Sequence, residues 1–128
     1  VIVISRFLPS DAEEFLDRAG AALRAFADRP GFLRGRVGRA VDDPDRWVLV
    51  TEWDSVGSFR RSLSAYEVKL HAAPLLASSI EEPAAYEPLI SAEDGVISIQ
   101  SSALAADSGS VRVGEAAGPS IPWDFPGR

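Results

Sequence analysis

Cysteine is missing from this 128-residue chain, which removes disulfides and thiolate chemistry whatever the compartment. Histidine is reduced to a single residue, His71, in the stretch "SAYEVKLHA" at 64–72, and no metal-ligand spacing appears. No apolar run approaches the ~20 residues that a membrane-spanning helix needs. Positive charge is also short. Thirteen basic residues face nineteen acidic ones, and a net charge of −6 repels a phosphate backbone, so nucleic acid is disfavoured as a partner and no membrane is expected. Neither an internal repeat nor a glycine-rich phosphate loop after a strand is present. The opening "VIVI" is too short for the apolar region of a secretory signal and lacks a basic stretch before it, which makes the cytoplasm the expected location.

What remains is the composition of a globular chain, 46% hydrophobic and 25% charged, at a length that favours one core. "VIVISRFL" (1–8) is β-branched and reads as a strand buried on both faces. Ser10 and Glu13 have capping-box spacing, and Phe15, Ala19, Ala22, Leu23 and Phe26 repeat at helical period until Pro30 and Gly31 stop the helix. "FLRGRVGRAV" (32–41) can form a second strand, "DDPD" a turn, and "RWVLVTEW" (46–53) a central strand. Asp54 and Ser55 then cap a helix with Val56, Phe59 and Leu63 on one face. Ser64 and Glu67 suggest a restart near Ala65, and Pro74 another break near Ala73. "AAYEPLI" (84–90) offers a fourth strand, at an edge or bulge because of Pro88.

The resulting order is βαββαβ. From Ser91 the chain is rich in Gly, Ser, Ala and Pro, with "VISIQ" and "VRV" as short extended pieces and Trp123 and Phe125 between prolines. The expected division is a domain at 1–91 and a C-terminal extension at 92–128, partly extended, that packs on its own subunit or a partner.

That element order, the "RPGF" turn (29–32) and "TEWDSVGSF" (51–59), where a strand ends in Trp before a capped helix, resemble the antibiotic biosynthesis monooxygenase family over about residues 1–90. The resemblance implies an α+β, ferredoxin-like antiparallel sheet with helices on one face, paired into a homodimeric α/β barrel. It also implies, for some members, oxidation of polyketide phenols by oxygen with no cofactor. Other members degrade haem, and many have no known role. For haem chemistry His71 falls near the iron-ligand position, but Ser5 stands where an Asn is needed and Ser62 where a Trp is needed.

A homodimer also follows from the residues. Both sides of the first and third strands are apolar, Ile2, Ile4 and Leu8 against Val1, Val3 and Phe7, and Trp47 and Leu49 against Val48 and Val50, and a sheet with helices on one side needs cover on the other.

His71 is placed on or beside the apolar stripe of its helix, as a structural residue or as the base that takes a phenolic proton in an apolar cavity between helices and sheet. Tyr66, Ser5, Trp53 and Arg6 are candidate contacts to a small aromatic substrate. Trp53 reads also as packing, and Arg6 also as a barrel charge paired with Glu52 on an adjacent, parallel strand. Arg34, Arg36 and Arg39 read as a solvated edge or an acid-binding cavity mouth. Three functions stay open: a cofactor-independent monooxygenase, a non-catalytic binding or structural dimer, and a haem-binding oxygenase.

Overall fold

A computed structural model of the chain describes residues 1–102. The sequence-predicted "VRV" strand and the Trp123 and Phe125 aromatics lie outside the described residues. Two compact units divide the chain, Val1–Pro88 and the part from Leu89 onward.

In the first unit β1 (Ile2–Phe7) leads to α1 (Ala12–Ala27), then β2 (Phe32–Arg39) and β3 (Trp47–Trp53). A helical stretch in three pieces follows, α2 (Val56–Ser62), α3 (Tyr66–His71) and α4 (Ala73–Leu76), before a two-residue edge strand β4 (Ala85–Tyr86). The sheet order is β2-β3-β1-β4, with every neighbouring pair antiparallel, which is the ferredoxin-like arrangement.

The caps explain the helix boundaries. Asp11, not Ser10, caps α1: its backbone is extended and its carboxylate accepts from the Glu14 amide at 3.1 Å, with Glu13 and Glu14 complementing the helix dipole. Ser55 caps α2 as its spacing predicts, accepting from the Ser58 amide at 3.1 Å. The second capping box does not form. The Ser64 hydroxyl donates back to the Arg61 carbonyl at 2.9 Å, so extended Ala65 begins α3 without a side-chain cap. Pro74 sits in the first turn of α4, where its missing N–H costs nothing.

Alternation along the strands separates the two faces. Val3, Ser5 and Phe7 of β1 and Trp47, Leu49, Thr51 and Trp53 of β3 are buried toward the helices. They meet Phe15, Ala19, Ala22, Ala25 and Phe26 of α1 and Val68, Ala72 and Leu75 of the later helices. Rings fill the layer: Phe15 lies 5.0 Å from Phe7 and 5.6 Å from Trp47, while Trp53 touches Phe26, Phe32 and Phe59. Each such side chain contributes roughly 1.5–3 kcal/mol of burial.

Ile2, Ile4, Val48 and Val50 occupy the opposite face and are only half-buried. The register corrects the expected charge pair. Antiparallel pairing sets Arg6 opposite Val48 and Glu52 opposite Ile2, four residues apart along the strand. Arg6 instead reaches Glu82 at 2.7 Å, and Glu52 is held by Arg34 at 2.6 Å.

The second unit contributes a hairpin, β5 (Ile90–Glu93) paired with β6 (Val96–Ile99) through Asp94 and Gly95, both at positive φ. "VISIQ" is therefore extended, as its composition predicts, but its partner strand is Ile90–Glu93. The predicted fourth strand shrinks to two residues because Pro83 and Pro88 bracket it.

Candidate functional site

α1 packs against α3, and Ala21, Arg24, Ala25 and Asp28 recur at helical spacing along the face of α1 that borders the junction. Together with Ala27, Arg29, Glu67 and His71 they line a groove of about 610 Å³. No strand residue contributes to it. The expected cavity between helices and sheet is thus not where His71 opens, because aromatic rings occupy that layer. His71 also lies one position off the buried stripe: Val68 and Ala72 are fully buried, whereas the His71 side chain is 41% exposed.

Inside the groove, His71 Nε2 stands 3.3 Å from Glu67 Oε1, one helical turn earlier. Arg29 enters from the turn that links α1 to β2. That turn is of type II: the Phe32 amide donates to the Arg29 carbonyl at 3.2 Å, with Pro30 and Gly31 central and Gly31 at φ +89°. The Arg29 amide donates to the Phe26 carbonyl at 2.9 Å, so both ends of the residue are fixed. Its side-chain Nε is buried and has no hydrogen-bond partner among the described residues. The groove therefore joins an imidazole paired with a carboxylate to the side chains of Arg24 and Arg29, a combination suited to moving a proton beside positive charge.

None of the other sequence candidates lines this groove. Tyr66 is 72% exposed at the start of α3. Ser5 is buried on the helix-facing side of β1. Trp53 is buried in the core, its Nε1 donating to Thr51 Oγ1 at 2.9 Å. Arg6 lies on the opposite face of the sheet with Glu82. The three arginines of β2 are divided as well, with Arg34 on Glu52 and Arg39 stacked 5.3 Å from the Trp47 ring centre.

The haem pattern does not assemble. Ser5 and Ser62 are both buried, the latter donating to the Phe59 carbonyl at 2.6 Å, and neither borders the groove that holds His71. Among the described residues no three Asp, Glu or His side chains gather as metal ligands would.

Residues 1–73 match the model of the antibiotic biosynthesis monooxygenase family. The chain belongs to this family. The matched region runs from β1 past His71, so both Glu67 and His71 fall within it. Among solved structures, SnoaB from Streptomyces nogalater, a cofactor-independent oxygenase, superposes with a TM-score of 0.55 at 27% identity, over 69% of this chain and 93% of that one. An Asn-to-Ala variant of SnoaB gives 0.55 at 29% identity, over 62% and 82% of the two chains. This chain contains no asparagine at all. A conserved protein from Methanosarcina mazei Go1, at 18% identity and a TM-score of 0.54 over 63% of this chain and 81% of that one, shares the fold. No curated protein matches. Among the described residues no helix is long and apolar enough to cross a membrane.

Arg24, Arg29 and Glu67 are the groove residues that sequence patterns alone do not single out. Glu67 is legible as the helical i,i+4 neighbour of His71. Arg24 and Arg29 line the same groove as His71 only through the packing of α1 on α3, which no spacing encodes.

Proposed function

We propose that this chain is a cofactor-independent monooxygenase that oxidises an aromatic phenol or quinol with molecular oxygen in the groove between α1 and α3. The observation that carries the reading is the family match through residues 1–73, which includes His71, joined to 27–29% identity with a cofactor-independent oxygenase. A neutral His71 imidazole takes the phenolic proton. Glu67, 3.3 Å from Nε2, favours the tautomer with its proton on that nitrogen, leaves Nδ1 as acceptor and stabilises the imidazolium formed. The phenolate is electron-rich enough to pass electrons to oxygen. For a phenol whose keto form is anthrone-like, the ring CH₂ becomes C=O, one oxygen atom stays in the product, and the other leaves as water with the two hydrogens, so the substrate supplies all four electrons.

The working form in this reading is a homodimer. Ile2, Ile4, Val48 and Val50 form an apolar centre on the uncovered sheet face, and the Arg6–Glu82 and Arg34–Glu52 pairs lie at its border. Oxygen uptake with anthrone tests the activity. One labelled oxygen atom in the product per molecule consumed is the expected result, and no uptake above the protein-free rate contradicts it.

A further inference from the structure

The two edges of the four-stranded sheet carry opposite charge. β2, at one edge, holds Arg34, Arg36 and Arg39 and no acidic residue, while residues 80–88, which carry β4 along the other edge, hold Glu81, Glu82 and Glu87 and no basic residue. Register ties particular positions together. Arg36 lies opposite Val50, Val50 lies opposite Ile4, and the Ile4 amide donates to the Ala84 carbonyl at 2.7 Å, so Arg36 and Ala84 end one row across the sheet. The Ile80 amide donates to the Arg6 carbonyl at 2.7 Å, which keeps Glu81 and Glu82 on the Ala84 edge. Cross-strand partners share a face, so Arg36 stands with Val50 on the side that the helices leave uncovered. Arg6 and Arg34 on that side each hold an acid, Glu82 and Glu52. Arg36 and Glu81 are both exposed, and neither makes an ion pair or hydrogen bond among the described residues.

We propose that the β2 edge of one protomer docks on the β4 edge of a second copy, with Arg36 paired to the partner's Glu81 at two symmetric contacts. This rests on the homodimer reading and fixes how the two copies are oriented. Covering the apolar face takes water from Arg36, which then needs an acid. Twofold symmetry offers two ways to lay one sheet on the other with strands aligned. An axis across the strands puts β2 on the partner's β2 and sets Arg36 against its own copy, whereas an axis along the strands carries Arg36 to the Ala84 end of the partner's row, beside the acidic stretch. A net charge of −6 on each chain opposes association as a whole, so the local match of opposite charge selects the second arrangement.

Sedimentation equilibrium of Arg36→Glu and Glu81→Arg, each alone and then mixed in equal amounts, tests the orientation at fixed, low ionic strength. Each variant alone should dimerise about tenfold or more weakly than the parent protein, because both symmetric contacts then set like charges together. The mixture should regain dimers of parent strength, since each edge contact of the heterodimer again joins an arginine to a glutamate. Circular dichroism should show both variants folded, as neither side chain has a partner in its own chain to lose. Variant dimers as tight as the parent's, or a mixture no tighter than its components, overturn the proposal and leave the apolar dimer standing. Tightest pairing between Arg36→Glu and the parent protein overturns it too, by placing β2 on β2. A parent protein that stays monomeric overturns the dimer reading and this orientation with it.

Discussion

Replacing Gly31 by alanine tests the local packing that fixes Arg29. Gly31 sits at φ +89° in the type II turn, a conformation that costs a residue with a Cβ about 1–3 kcal/mol. Its surroundings add a steric cost. A Cβ built there would collide with the Oγ and Cβ of Ser58 and lie 2.7 Å from Asp54 Oδ1, while the Gly31 carbonyl accepts from the Asp54 amide at 2.8 Å, so the start of α2 has little room to retreat. Overpacking of this kind costs a further 1–3 kcal/mol or so. The sum, about 2–6 kcal/mol, is a large share of a small domain's stability. With a urea slope near ~1 kcal/mol/M, the unfolding midpoint followed by far-ultraviolet circular dichroism should fall by about 2 M or more. Gly20→Ala serves as the control. In mid-α1 an added Cβ meets only the flexible Arg24 guanidinium, Nη1 at 3.6 Å and Nη2 at 4.0 Å, and the substitution should stabilise by roughly 0.5–1 kcal/mol. A Gly31→Ala midpoint within about 0.5 M of the parent protein, on the same urea scale, would refute the account of this turn.

Trp53→Phe should destabilise by about 2 kcal/mol or more, since it thins the ring cluster and strands the Thr51 hydroxyl, and a calorimetric melting curve would show it. A double-mutant cycle on Arg6 and Glu82 should give a coupling of at most ~1 kcal/mol, because the pair is well exposed, and the same cycle on Arg6 and Glu52 should give none; coupling between Arg6 and Glu52 would contradict the antiparallel register. The Ser58 hydrogen bond, partly opposed by desolvation and aided by Ser55 and Arg61, holds the Asp54 carboxyl below its ordinary 3.8. Folding lowers this pKa, so the stability it contributes is full above that ordinary value and is lost as pH falls through the depressed one. The stability difference between the parent protein and Asp54→Asn, from urea midpoints at successive pH values, should stay constant above about pH 5 and change only below it. Sedimentation equilibrium should return a dimer at micromolar concentration, and a stable species of 13.7 kDa would contradict the apolar sheet interface.

β1, β2 and β3 were legible because β-branched runs act locally, and the start of α2 and the break before α4 because Ser55 and Pro74 do, whereas the break before α3 was expected from a Ser64 cap that does not form. Strand direction was not: apolar alternation is the same for parallel and antiparallel neighbours, and that is why Arg6 and Glu52 read as a pair. Which of two adjacent polar residues caps a helix also escapes spacing alone, since Ser10 and Asp11 both suit the start of α1 and only backbone geometry chooses Asp11. The groove was legible only in part. Helical spacing brings His71 close to its true face and links it to Glu67, but a rotation of one position separates a buried histidine from an exposed one. Arg29 reads simply as the residue before a Pro-Gly turn until α1 is laid against α3.

The most direct measurement of the central claim is the oxygen-consumption rate of His71→Ala on a phenolic substrate, taken on the same sample as its urea midpoint. The Glu67–His71 pair is largely exposed, so removing the imidazole should change stability by no more than ~0.5 kcal/mol, while kcat should fall by about 10²-fold for want of a general base. A folded His71→Ala protein that turns over at the parent rate would contradict the account.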